Sequence, residues 1–71
     1  MAQSPAFKAY KDGKYLASFK RAGDAAAFAS FLGTGTSIRF GHSKSSTVLL
    51  ITDENEDHSY DELTETLLSN L

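Results

Sequence analysis

The sequence predicts an α+β domain of order ββαββα, with two helices packed on one face of a four-stranded antiparallel sheet. Three observations carry that prediction. A two-residue turn, Asp12-Gly13, lies between two runs of β-forming residues. Two stretches, 24–32 and 59–71, place apolar residues at helical spacing, and two shorter runs, 37–40 and 47–52, read as strands. At 71 residues the chain has room for a single domain with one small core. Two amphipathic helices laid on one sheet are the economical way to bury that much.

Residues 1–5 are expected to form a disordered tail, and the first strand runs over 7–11. Asp12-Gly13 suits a type I′ hairpin because both central residues need positive φ. It joins the first strand to a second over 14–20, setting Tyr10 opposite Tyr15 and Ala9 opposite Leu16. One hairpin face then carries Tyr10, Tyr15, Ala17 and Phe19, the other Phe7, Ala9 and Leu16. Both are partly apolar, so the sequence leaves open which face turns to the core.

A helix follows, with Asp24 as its cap and Ala25, Phe28, Ala29 and Leu32 at i, i+3, i+4 and i+7. Ala26 and Ala27 add helix propensity. Gly33 is placed to stop the helix in the left-handed conformation. Thr34-Gly35 turns the chain into a third strand, where Ile38 and Phe40 alternate with Ser37 and Arg39. Residues 41–46 have loop composition. The fourth strand, 47–52, is apolar on both faces and therefore reads as central, or as an edge with its outer face covered. An acidic loop over 53–58 leads to a capping box, Ser59-Tyr60-Asp61-Glu62. Tyr60, Leu63, Leu67, Leu68 and Leu71 form the stripe of the last helix. Helices on one face leave the opposite sheet face bare, and such a face usually binds something, often a second copy.

Charge divides the chain sharply. Residues 1–44 hold all seven basic residues and two acids, giving +5; residues 45–71 hold seven acids and no Lys or Arg, giving −7. The absence of cysteine removes a disulfide framework and any thiolate metal site. The N-terminus lacks a basic segment followed by an apolar one, and no apolar run approaches the length that spans a bilayer. The expected location is cytoplasmic, with no membrane partner.

Asp53-Glu54-Asn55-Glu56-Asp57 matches the first half of an EF-hand loop, which needs oxygens at positions 1, 3 and 5. His58 stands where the turn glycine belongs and Thr64 where the bidentate glutamate belongs, so the expectation is a solvated turn and no metal. The two imidazoles, His42 and His58, sit in loops, and no nucleophile-elbow, zincin, Walker or dinucleotide motif is present. No enzyme activity and no cofactor are expected. The candidate partner-binding residues are Asp53, Glu54, Glu56 and Asp57, a carboxylate cluster able to enter a positively charged groove, with Tyr10 and Tyr15 as aromatic anchors. The alternative is nucleic-acid binding by Lys8, Lys14, Lys20, Arg21 and Arg39, with Tyr10, Tyr15 and Phe40 interleaved as stacking platforms. A sequence pI near 5.5 weighs against that alternative, and edge lysines also serve to discourage sheet aggregation. A third reading is an interaction domain that pairs with a second copy through the bare sheet face or an open edge.

Tyr10-Lys11-Asp12-Gly13-Lys14-Tyr15, Asp24-Ala25-Ala26-Ala27-Phe28, Ile38-Arg39-Phe40-Gly41-His42 and Thr47-Val48 resemble short proteins encoded in proteobacterial genomes, plasmids and phages. In size, acidity and lack of catalytic motifs the chain is similar to anti-CRISPR proteins of such mobile elements. That resemblance implies a stoichiometric inhibitor that binds a bacterial protein or nucleoprotein complex and blocks its nucleic-acid-handling surface. Anti-CRISPR families share no common motif, so it assigns no residue a role.

Overall fold

The computed structural model describes residues 6–41 and 46–71. Along the chain run β1 (Ala6–Lys11), β2 (Lys14–Phe19), α1 (Ala22–Leu32), β3 (Thr36–Gly41), β4 (Ser46–Leu50) and α2 (Tyr60–Ser69). The four strands form one antiparallel sheet in the order β2-β1-β3-β4. This is the ββαββα, α+β fold that the sequence predicts. Residues 1–5, expected as a tail, and the whole β3–β4 connection, 42–45, with His42, lie outside the described residues.

The hairpin turn forms as its chemistry requires: Asp12 and Gly13 take φ of 52° and 85°. Tyr10 pairs with Tyr15, but the register then shifts, and Ala9 pairs with Ala17 instead of Leu16. Leu16 is the extra residue of a β-bulge. One extra residue turns the rest of the strand over. Phe19 and Ala17 thereby leave the tyrosine face and join Phe7 and Ala9 against the helices. The mixed apolar character of both hairpin faces in the sequence is the trace of that bulge.

A second bulge interrupts the β3–β4 ladder. Ile38 pairs with Leu49, and Arg39 with Thr47, leaving Val48 unpaired between them. Both Val48 and Leu49 are buried as a result, and Leu50 is exposed. The strand's apolar character on both faces therefore does not make it central. β4 is an edge strand, ends at Leu50, and reaches inward with two consecutive residues only because the bulge reorients one of them.

Helix α1 starts earlier than its composition suggests. Arg21 is the residue at its cap and gives no side-chain bond, while Asp24 sits in the first turn, where its charge favours the helix N-terminus. Ala25, Ala26 and Ala29 are its buried face, with Phe28 packed against the core at the margin. Three alanines let the helix backbone lie close on the sheet. Gly33 ends the helix with φ of 84° and ψ of −159°, a positive φ but not the left-handed helical conformation. A side chain from the sheet completes the end: Lys11 Nζ donates to Leu32 O at 3.1 Å and to Thr34 O at 2.5 Å. In α2, Ser59 Oγ accepts from the Glu62 amide at 3.3 Å, as the capping box requires. The Glu62 carboxylate stands 3.6 Å from His58 Nδ1. Only Leu63 and Leu67 of its apolar stripe are buried; Tyr60, Leu68 and Leu71 are exposed.

The core gathers Phe7, Ala9, Ile38, Val48, Leu49 and Ile51 from the sheet side with the buried residues of both helices. Phe7 packs against Phe40 at 4.6 Å and Phe19 against Phe28 at 5.2 Å between ring centroids, both pairs tilted. Both helices therefore cover one sheet face, and the residues that alternate with this set look outward on the other. Among the described residues, no helix is long and apolar enough to cross a membrane.

Candidate binding surfaces: the open sheet face and the acidic loop

The open sheet face is organised in rows by the strand register. One row runs Tyr15, Tyr10, Ser37, Leu50 across the four strands; the next runs Ser18, Lys8, Arg39, Thr47. Tyr10 and Tyr15 meet edge to face with centroids 5.7 Å apart. The Arg39 guanidinium lies over the Tyr10 ring at 4.5 Å from its centroid, within the range of a cation–π contact. Tyr15 shares a 2.6 Å hydrogen bond with Ser18 further along the same strand, which lays the ring along β2. Tyr15 and Leu50, at the two ends of the first row, are each about half exposed. The strands carry Lys8, Lys11, Lys14 and Arg39 and not one carboxylate.

The acidic loop is a folded turn held by its own bonds. The Thr52 carbonyl accepts from the amides of Asn55 and Glu56, and the Asn55 carbonyl accepts from the His58 amide. The Asn55 side chain works in both directions. Its Oδ1 accepts from the Thr52 amide at 2.8 Å, and its Nδ2 donates to Leu50 O at 2.9 Å. Thr34 Oγ1 donates to Glu56 Oε2 at 2.5 Å, tying the loop to the α1–β3 turn. Asp53, Glu54, Glu56 and Asp57 stay exposed at the surface. Asn55, the third position of the calcium-loop resemblance, hydrogen-bonds within the loop itself. Among the described residues, no group of three or more His, Asp or Glu is placed to hold a metal ion.

The structure brings the predicted partner-binding residues to one end of the sheet. Asp12 N donates to Gly35 O and Gly35 N to Ile51 O, so the hairpin turn, the α1–β3 turn and the start of the acidic loop are stitched side by side. The row bearing Tyr10 and Tyr15 is the last before that end. The alternative cationic set does not converge. Lys8 and Arg39 share the open face; Lys14 pairs with Lys11 on the helix side of the hairpin, and Lys20 and Arg21 lie in the β2–α1 connection at the opposite end.

Sequence reasoning missed four members of the open face, Ser18, Ser37, Thr47 and Leu50. Leu50 looks like core in an unbroken apolar run, and only the Val48 bulge turns it out. Phe40, read as a stacking platform, lies on the core side against Phe7. The chain matches no family model, no curated protein and no solved structure.

Proposed function

We propose that the chain is a non-enzymatic binding module that acts by stoichiometric occupation of a basic surface on a bacterial protein or nucleoprotein complex, an inhibitor of the anti-CRISPR kind. The observation that supports this reading is the juxtaposition at one end of the sheet. A self-bonded loop holds exposed carboxylates there, beside a row that supplies two tyrosines. A preorganised loop loses little conformational entropy on docking, which is how rigid charge gains affinity. Aromatic rings beside it are the residue type that dominates interface energetics. The segment 46–71 carries seven acids and no Lys or Arg, so its field is of one sign.

Asp53, Glu54 and Asp57 are the residues to reverse, because Glu56 is already engaged by Thr34 and its change would disturb the loop. Tagged wild-type chain and an Asp53→Lys, Glu54→Lys, Asp57→Lys variant are used as baits in bacterial lysate, with and without nuclease. A discrete partner held by the wild-type chain and lost by an equally folded variant is the expected result. A partner retained by the variant with unchanged affinity would refute the acidic-loop mechanism.

A further inference from the structure

We propose that Phe31 is the apolar anchor of the acidic-loop contact, and that the surface it fits is a cationic amphipathic helix of a protein partner. This rests on the acidic-loop reading and names the chemistry of the partner. Phe31 is the most exposed large apolar side chain among the described residues, at 86%. Two residues past the buried Ala29, it lies about 200° around α1, on the side turned away from the core. The helix has no use for the ring there, because alanine is the better helix former and serves at the neighbouring exposed position, Ala27. A lone exposed apolar residue is ordinary; the place of this one is not.

Phe31 stands in the last turn of α1, three residues before Thr34, whose hydroxyl donates to Glu56 of the acidic loop. Lys11 holds the same turn through the carbonyls of Leu32 and Thr34. One fixed turn therefore carries both the ring and the loop, and fixed groups lose little entropy on docking. The two tyrosines are already engaged within the sheet: Tyr10 lies under the Arg39 guanidinium, and Tyr15 bonds to Ser18. Charge selects the occupant. Neither helix carries a Lys or Arg, and Asp24, Asp61, Glu62 and Glu65 are exposed on them. Nucleic acid and anionic lipid are repelled there. A helix with Lys and Arg flanking an apolar stripe meets the carboxylates with its cations and Phe31 with its stripe. Tyr60 and Leu68, half exposed on α2, extend the apolar part of the same layer.

The probes are two synthetic peptides of about 18 residues, five helical turns, with the same number of lysines. One carries leucine along a single helical stripe; the other carries glutamine at those positions. Each is labelled and titrated with the whole chain by fluorescence anisotropy. The Lys/Leu peptide is expected to bind roughly 10- to 30-fold more tightly than the Lys/Gln peptide. It is also expected to shift the Phe31 ring resonances together with the amides of residues 53–57. Phe31→Ala is expected to erase the ratio between the peptides while leaving the affinity for the Lys/Gln peptide unchanged. Should that variant fail to fold, the Phe31 ring shifts in the wild-type chain report the same contact. A ratio near one in the wild-type chain, a ratio that survives Phe31→Ala, or undisturbed Phe31 resonances would each overturn the proposal. The acidic-loop reading fails by a different result. If the Asp53→Lys, Glu54→Lys, Asp57→Lys variant binds the Lys/Gln peptide as tightly as the wild-type chain, that reading falls and this proposal falls with it. If the variant loses that binding while Phe31→Ala changes nothing, the loop reading stands and Phe31 alone is refuted.

Discussion

Thr36 is the one fully buried polar residue among those described, and its hydroxyl has no hydrogen-bond partner. A buried hydroxyl left unpaired costs about 1–3 kcal/mol, and an apolar group of the same shape removes that cost. Thr36→Val is therefore expected to stabilise the domain by about 1 kcal/mol, read as a higher urea midpoint at unchanged slope. A lower midpoint would mean that the hydroxyl is satisfied. The neighbouring Gly35 is constrained for a different reason. Its φ is +95°, and a Cβ there would lie 2.6 Å from Asp12 Oδ1. The turn that brings the acidic loop beside the hairpin thus depends on a residue with no side chain. Glycine at a turn is visible in sequence; the carboxylate pressed against it is not.

Single elements of this fold are completed by their neighbours. Helix α1 has no side-chain cap at its start and no basic residue in its last turn, and its C-terminal carbonyls are met by Lys11 from β1. Lys11→Met keeps the apolar stem and deletes the donors, and is expected to cost about 1–2 kcal/mol, measured as a fall in thermal stability. No change would show that water serves those carbonyls equally well. The hairpin teaches the same lesson. Asp12-Gly13 and the Tyr10–Tyr15 pair were legible because a type I′ turn is encoded by two adjacent residues. The Leu16 bulge was not, because alternation alone puts Phe19 beside Tyr10. Packing decides otherwise, since Phe19 gains a partner in Phe28 only from the helix side.

At the scale of the whole molecule, one shallow core supports everything else. Leu63 on α2 is fully buried, and Leu71, just past the end of that helix, is exposed. Leu63→Ala is expected to cost about 3 kcal/mol, a large share of the few kcal/mol that so small a domain commands. Leu71→Ala is expected to change stability by less than about 0.5 kcal/mol. Denaturant titration of both variants checks the contrast; equal effects would mean that the core is misplaced. By itself the sequence determined the order ββαββα, the type I′ turn, the Ser59 cap and the split of charge along the chain, because each depends on residues adjacent or one helical turn apart. Tertiary structure alone decided the rest. Two bulges chose which faces are buried, β4 became an edge, Lys11 became a helix cap, and Lys8 came to lie opposite Arg39. Each of these joins residues distant in sequence, where only the competition to fill one core and satisfy its polar groups sets the outcome.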